Sequence, residues 1–114
     1  MKAIPIKLRE EMSADPQYGH CMRKAIFNDH ECKPDPISKK IIEWEHAMYY
    51  KGSQINRKWA IISICWLTHR GGMMDKRKNE YMALIRATEE DLKEYPRADF
   101  KQRLKYLKGK FQNA

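Results

Sequence analysis

Apolar residues in the middle of the chain come in short runs that favour strands. In residues 41–44 (IIEW), strand character competes with partial helical spacing, and we interpret this run as a strand that turns at Glu45 and His46. The β-branched run WAIISIC, residues 59–65, predicts a second strand. Between them, KGSQIN has the polar residues and glycine of a loop. The pattern therefore predicts two strands with a loop between them.

The N-terminal part of the chain has a weaker pattern. IPIKL, residues 4–8, predicts a short strand or an extended arm. SADPQYG, residues 13–19, predicts a turn, because Asp-Pro and glycine interrupt regular structure. The next segment, residues 20–38, carries two cysteines and two histidines and ends in KPDP, whose prolines exclude a helix there.

Helical spacing dominates the last part of the chain. Residues 67–88 predict a helix, interrupted at Gly71 and Gly72. The residues expected on its apolar face are Met73, Tyr81, Leu84 and Ile85. A further helix begins after Thr88, a capping residue followed by three acidic residues, and ends at Pro96.

Residues 98–111 predict a final amphipathic helix, with Phe100, Leu104 and Leu107 on one side and basic residues largely elsewhere. Strands followed by helices predict an α+β fold. A length of 114 residues suits a single domain, residues 1–114, with one modest core.

The charge of the chain favours a polyanionic partner. There are 23 basic and 15 acidic side chains, a formal net charge of +8, which favours nucleic acid first and an anionic membrane surface second. The alternative is that the charge serves solubility alone. No apolar run approaches the ~20 residues that cross a bilayer, and charges interrupt the N-terminal segment where a signal peptide would be apolar. We therefore expect a cytoplasmic protein without a membrane partner.

Three cysteines in a reducing compartment predict metal binding or plain burial. Cys21, His30, Cys32 and Cys65 supply three thiols and one imidazole, a set that tetrahedral zinc accepts. Their spacing lacks the paired C-x-x-C form, so spacing alone slightly favours three buried free thiols. His20, beside Cys21, is an alternative fourth ligand that only geometry can separate from His30.

Four further residues supply the groups that phosphodiester hydrolysis requires. A histidine is a suitable general base near neutral pH. A carboxylate and a second histidine can hold a divalent metal, and an amide can orient the base. Glu45, His46, Asn56 and His69 provide one group for each task. The alternative, for each residue taken singly, is a structural role.

In order and spacing, these residues resemble the HNH endonucleases, whose active site is a ββα-metal fold of two strands and a helix around one divalent ion. EWEHA matches the family's acidic residue followed by histidine, with Glu45 in place of the commoner aspartate. Asn56 in QIN matches the middle asparagine, and His69 in ICWLTHRGG matches the last histidine. Phage and prophage members are also similar in H-x-C, WAI and IC-x-x-x-H. The resemblance covers residues 21–70.

The resemblance implies a role for each residue of this set. His46 would be the general base that activates water, and Asn56 would orient it. Glu45 and His69 would ligate the catalytic ion, Mg²⁺ or Mn²⁺.

The resemblance also implies a structural zinc ion. The family's usual C-x-x-C-H contributes two cysteines to zinc, and here Thr68 stands at the second position. His30 would replace that ligand, which favours the zinc set Cys21, His30, Cys32 and Cys65.

Basic residues follow His69 in the sequence. Arg70, Lys76, Arg77 and Lys78 would contact backbone phosphates, and the alternative is a solvated charged face.

We therefore expect a metal-dependent DNA endonuclease or nickase, with a nuclease core of residues 20–86 and basic C-terminal helices in 87–114. RNA remains open as a substrate, and double-strand cleavage would need a dimer or two encounters. A bacterial or phage-infected cell is the expected setting. The first alternative is a catalytically inactive, zinc-stabilised nucleic-acid-binding module, such as a phage accessory factor. The second is a small structural protein with buried cysteines.

Overall fold

The computed structural model describes residues 4–112. Its helices are α1 Ile6–Ser13, α2 Met22–Phe27, α3 Trp66–His69, α4 Lys76–Leu84, α5 Glu89–Lys93 and α6 Phe100–Gln112. Its strands are β1 Ile42–His46, β2 Tyr49–Tyr50, β3 Ser53–Gln54 and β4 Ile61–Cys65, and 3-10 turns span Pro16–Gly19 and Lys58–Ala60. The predicted α+β class is confirmed. Residues 1–3 and 113–114 of the predicted domain lie outside the described part.

The centre of the fold is an antiparallel pair of strands, β1 and β4. The strand predicted in WAIISIC is observed as β4, and all five of its residues are buried, so both of its faces are covered. The prediction that β1 turns at Glu45 and His46 is wrong. These residues continue the strand, because Glu45 pairs with Ile62 and His46 with Ile61.

The KGSQIN segment is more ordered than a loop. β2 and β3 pair antiparallel, with Tyr50 opposite Ser53. Lys51 and Gly52 connect them with φ values of 51° and 80°, the left-handed conformation that a two-residue hairpin turn of this type requires. The segment therefore contains a small hairpin whose ends lie close together.

The N-terminal run predicted as a strand or arm is a helix. Pro5 precedes α1 and Met12 is its fully buried residue. The prediction rested on the alternation of Ile4, Ile6 and Leu8, which is too short to establish strand spacing. The residues that follow are strong helix formers, and the helix buries Met12. After α1, the chain crosses β1 and β4. Trp44 Nε1 donates to the Tyr18 carbonyl (3.0 Å), and Ser63 Oγ donates to the His20 carbonyl (2.6 Å).

The interruption predicted at Gly71 and Gly72 is confirmed, since α3 ends at His69 and α4 begins at Lys76. A Cβ on Gly71 would lie 2.7 Å from the Leu67 Cα, and Gly72 has φ +99°. Tyr81 and Leu84 are buried as predicted. The prediction is wrong for Met73 and Ile85, which are exposed, because the chain is not helical at Met73 and α4 ends before Ile85.

The C-terminal helices complete the core. Thr88 caps α5 with reciprocal hydrogen bonds to Asp91. Phe100 and Leu107 are the buried residues of α6, as its predicted apolar side requires, and Leu104 packs against the core. No helix among residues 4–112 is long and apolar enough to span a membrane.

Candidate functional site

Three segments bring the cysteines and one histidine together. Cys21 lies directly before α2, and Asn28 ends that helix with φ 47°, a left-handed turn that reverses the chain. His30 and Cys32 follow this turn, and Cys65 is the last residue of β4. Helix α2 was not predicted from the sequence pattern. Together with the turn at Asn28, it brings His30 and Cys32 back next to Cys21.

The four donor atoms lie close enough together to surround one ion. His30 Nε2 lies 3.7, 3.6 and 3.3 Å from the Sγ atoms of Cys21, Cys32 and Cys65. All four donor atoms lie within 4.8 Å of one another. Zinc bonds of about 2.3 Å to sulfur and 2.0–2.1 Å to nitrogen give a tetrahedral S–N edge of about 3.6 Å. The cluster is thus compatible with zinc, and it contains His30 rather than His20, which is exposed.

Two of the thiols differ in acidity. Burial and the neighbouring cysteines raise the pKa of Cys32 to about 12. Burial would also raise the pKa of Cys65, but hydrogen bonds, first from Thr68, bring it to about 6. The two shifts have opposite directions, so Cys65 loses its proton more readily than Cys32. Zinc would release the proton of each cysteine that is still a thiol, since thiolates are its ligands.

Asp29 orients the histidine of this cluster. Its Oδ1 accepts a hydrogen bond from His30 Nδ1 at 2.7 Å, which directs Nε2 at the sulfurs. Its Oδ2 is paired with Arg23 at 2.8 Å and Lys78 at 2.6 Å. Burial would raise the pKa of Asp29, but these partners hold it well below its usual range.

Thr68 stands where the family resemblance places a second cysteine. It is fully buried, and its Oγ1 lies 3.2 Å from the Cys65 carbonyl oxygen and 3.5 Å from Cys65 Sγ. The side chain thus borders the cluster without being a thiol, and His30 supplies the fourth donor atom.

On the other side of β1, two carboxylates hold His69. Glu43 and Glu45 share one face of the strand, because side chains alternate along it. Glu45 contacts His69 Nε2, and Glu43 Oε1 accepts from Nδ1 at 2.7 Å. The hydrogen bonds with Glu45 and then Glu43 outweigh burial and raise the pKa of His69. When His69 is protonated, the three groups form an ion-paired cluster.

Arg70 fixes the outer carboxylate of this cluster. Its guanidinium contacts both oxygens of Glu43, and it binds Asp35 at 2.7 Å. The hydrogen bond from Arg70 lowers the pKa of Glu43. Arg70, predicted to contact phosphate, is therefore engaged with two carboxylates of its own chain.

His46 and Asn56 form a second pair. His46 is buried, and its Nε2 lies 2.7 Å from Asn56 Oδ1. Since an amide oxygen only accepts, Nε2 carries the proton and the lone pair of the neutral ring is on Nδ1. The hairpin produces this contact, because the Ile55 amide donates to the Met48 carbonyl and so returns Asn56 to the end of β1.

One residue of each pair, Glu45 and His46, lines the same cleft at one edge of the fold. Glu45 and His46 point to opposite faces as strand neighbours, but β1 ends at His46 and both residues line one cleft of about 390 Å³. The cleft also contains Lys76 and Asn79 of α4. Carboxylate, imidazole and amide groups are thus available together at an open surface.

The remaining basic residues differ in their availability. Lys76 and Arg77 are exposed at the start of α4, and Lys76 borders the cleft. Lys78 is bound to Asp29.

No family model, curated protein or solved structure matches the chain. The functional argument therefore depends on the geometry of these residues.

Three residues of these clusters were missed by sequence reasoning. Glu43 could have been found, since it lies two residues before Glu45 and a strand places such residues on one face. Asp29 is adjacent to His30, which was a usable signal. Asn79 carried no signal, because only packing brings α4 to the end of β1.

Proposed function

We propose that the protein is a metal-dependent endonuclease or nickase of the HNH type. The observation that supports this best is that Glu45, which binds His69, and His46, which binds Asn56, line one cleft at the end of β1. The strands β1 and β4 followed by α3 would form the ββα unit that the family resemblance implies. DNA is the proposed substrate, in line with the net charge of +8.

His46 would act as the general base. Its Nδ1 has the lone pair and would take a proton from the attacking water. Asn56 would hold this tautomer and the ring orientation through the 2.7 Å contact with Nε2. As a neutral group, Asn56 would do so without adding charge next to a phosphate.

Glu45 and His69 would hold the catalytic divalent ion. An oxygen and a nitrogen donor at a partly exposed position suit Mg²⁺ or Mn²⁺ with positions left for water and phosphate. Such an ion, when bound, supplies stabilisation of the negative charge that develops on the phosphate. Glu43 would keep His69 Nε2 facing the ion, as acceptor of the Nδ1 proton.

The Cys/His cluster would serve as the structural zinc site. Cys65 belongs to it, and His69 lies four residues further along the chain. Zinc would thereby fix the end of β4 from which α3 presents His69.

The test is a plasmid-nicking assay with zinc-loaded protein, supplied with Mg²⁺ or Mn²⁺ or with neither. We expect the wild type to nick supercoiled plasmid only with the added ion, and His46→Ala to lose at least ~100-fold in rate, as the loss of a general base does. His20→Ala is the matched control, since His20 is exposed and outside both pairs. Undiminished nicking by a folded His46→Ala protein would contradict the mechanism.

One observation favours a second candidate, a zinc-stabilised nucleic-acid-binding module without catalysis. His69 is held between Glu43 and Glu45 as an ion-paired cluster that is complete without a metal. Salt-sensitive DNA binding by gel shift, without nicking in any divalent metal, would favour this candidate over the nuclease.

A further inference from the structure

Helix α6 carries charge of a single sign, which the proposed mechanism does not use. Its 13 residues, FKQRLKYLKGKFQ, include five basic side chains and no acidic one. Lys101, Lys105 and Lys108 follow each other at intervals of four and three residues, so they lie along one side of the helix. Like charges at these intervals repel and destabilise a helix, which is explained if a polyanion binds them. We call these three residues the lysine stripe of α6.

The lysine stripe is exposed and largely without partners. Its three residues line one groove of about 350 Å³ between α5 and α6. Of the described residues that line this groove, only Glu89 is acidic, and it lies 3.6 Å from Lys101 Nζ in an exposed pair that contributes little. Lys105 and Lys108 form no ion pair within residues 4–112. At least two ammonium groups are therefore available to an anionic partner.

Several other basic side chains are occupied within the fold. Arg103, also on α6, is paired with Glu80 at 2.9 Å. Arg70 and Lys78, which the sequence suggested for phosphate contacts, bind carboxylates of their own chain. The ion pairs thus separate cations that connect parts of the fold from those of the lysine stripe.

The packing of α6 favours nucleic acid over an anionic membrane. A helix that lies in a membrane surface needs a free apolar face. The apolar side of α6 is used by the core, since Leu107 is fully buried and Phe100 is 9% exposed. The exposed side carries the lysine stripe, which spans about 10 Å at the helical rise of ~1.5 Å per residue. A DNA duplex carries one phosphate charge about every 1.7 Å of its axis, so such a row can contact more than one phosphate.

The first residue of α6 connects the lysine stripe to the candidate active site. Phe100 lines the cleft at the end of β1, together with Glu45 and His46. The other residues of α6, all within the described part of the chain, lie outside the cleft. Along the helix axis, Lys105 and Lys108 follow Phe100 by about 7 and 12 Å. A duplex advances about 3.4 Å per base pair, so a few base pairs span this distance.

We propose that the lysine stripe of α6 binds the phosphate backbone of a DNA duplex and so holds the substrate beside the cleft. The inference rests on the proposed function for the identity of the ligand, because a nuclease with its site at the cleft needs a duplex there. Phosphate contacts position a duplex without reading its sequence. The stripe therefore contributes affinity that is the same for every base sequence.

Salt-dependent binding tests this proposal without cleavage. Zinc-loaded protein is titrated into two labelled duplexes of about 20 base pairs and unrelated sequence, between 50 and 200 mM salt and without Mg²⁺ or Mn²⁺. Lys105→Ala combined with Lys108→Ala should reduce the slope of log affinity against log salt by about 1.8, the value for two phosphate contacts. The reduction should be the same for both duplexes, because phosphates are common to every sequence.

Two further variants are matched controls. Lys105→Arg combined with Lys108→Arg keeps both charges and should keep the slope. Lys7→Ala combined with Lys40→Ala removes the same charge from exposed positions outside α6 and outside the cleft, and it should also leave the slope unchanged. Alanine is a good helix former, so the α6 alanine variant should melt no lower than the wild type.

A slope that is unchanged in the α6 alanine variant, or that falls equally in the Lys7 and Lys40 variant, would overturn the proposal. So would binding to vesicles of phosphatidylserine and phosphatidylcholine that exceeds binding to the duplexes and depends on the same two lysines. A wild type that nicks plasmid, with a slope that does not depend on α6, overturns the stripe alone. Duplex binding through the stripe without any nicking supports the stripe and contradicts the nuclease.

Discussion

Two histidines of this protein are oriented by the same device and face different ligands. His30 donates from Nδ1 to Asp29 at 2.7 Å, and His69 donates from Nδ1 to Glu43 at 2.7 Å. In each case Nε2 is left to face the other groups of its cluster. For His30 these are three sulfur atoms, and for His69 the carboxylate of Glu45.

The surroundings of the two imidazoles separate their chemistry. The His30 side chain is 1% exposed and that of His69 is 19% exposed. A closed set of thiols suits zinc in a structural site, while an exposed oxygen and nitrogen pair leaves positions for water and substrate. One carboxylate–histidine arrangement can therefore serve folding in one place and, as proposed, catalysis in the other.

The largest expected effect is the loss of zinc from the closed cluster. His30→Ala removes one of four ligands from a small core whose metal binding energy is also folding energy. With zinc at about 1,000 times its dissociation constant, the lost stabilisation is about 4 kcal/mol. This corresponds to a fall on the order of 15 °C in the melting temperature, measured by circular dichroism.

His20→Ala is the control for this prediction, since that histidine is exposed and adjacent to Cys21 but outside the cluster. It should melt like the wild type and retain one zinc per chain. A chelator should lower the melting temperature of the wild type to near that of His30→Ala. The zinc assignment would be wrong if chelator left the wild type unchanged.

A smaller effect is expected when either of the carboxylates that orient the two histidines, Asp29 and Glu43, is replaced by its amide, and each change should affect only one metal site. Glu43→Gln should weaken Mn²⁺ binding by about 10–100-fold, because His69 loses its charged acceptor, and should leave zinc affinity unchanged. Asp29→Asn should weaken zinc by a similar factor and leave Mn²⁺ binding unchanged. Calorimetry with Mn²⁺ and competition with a zinc-binding dye measure the two affinities. Equal effects of either variant on both metals would contradict two independent sites.

We expect that a cysteine at position 68 can replace His30 as the fourth zinc ligand. Thr68 is buried with its hydroxyl 3.5 Å from Cys65 Sγ. We therefore expect Thr68→Cys to restore zinc binding to the His30→Ala variant, at least in part, with a melting temperature between those of His30→Ala and the wild type. Zinc content and thermal melting are the readouts. A double variant as unstable as His30→Ala alone would show that the position lies outside ligand reach.

The sequence predicted more of the Cys/His cluster than of the cluster formed by Glu43, Glu45 and His69. Residue type suggested the zinc set, but spacing alone slightly favoured free thiols, and the family resemblance was needed to prefer zinc. Residue type did not distinguish His20 from His30 as the fourth ligand. The left-handed turn at Asn28 brings His30 to the cysteines. That turn follows α2, which had no clear apolar spacing in the sequence. The two predicted strands, residues 41–44 and 59–65, correspond in outline to β1 and β4, since β-branched runs favour strands.

Short elements and packing account for what could not be predicted. The β2–β3 hairpin depends on Lys51, a residue without a usual preference for positive φ, and on Gly52 beside it. The position of Glu43 on the same strand face as Glu45 was predictable, but its contact with His69 depends on the packing of α3 against β1. Asn79 became visible only as a buried side chain whose Oδ1 has no hydrogen-bond partner within residues 4–112.

The smallest expected effect is on the salt dependence of nucleic acid binding, and it compares a lysine at the cleft with a lysine beside the zinc cluster. Lys78 is bound to Asp29 beside the zinc set, whereas Lys76 is exposed at the cleft. If nucleic acid follows the cleft, Lys76→Ala should reduce the slope of log affinity against log salt by about 0.9, one phosphate contact. Lys78→Ala should leave that slope unchanged, because its ammonium group is already paired within the protein. Fluorescence anisotropy between 50 and 200 mM salt measures both slopes. A larger change for Lys78 than for Lys76 would place the nucleic acid over the zinc cluster instead of the cleft.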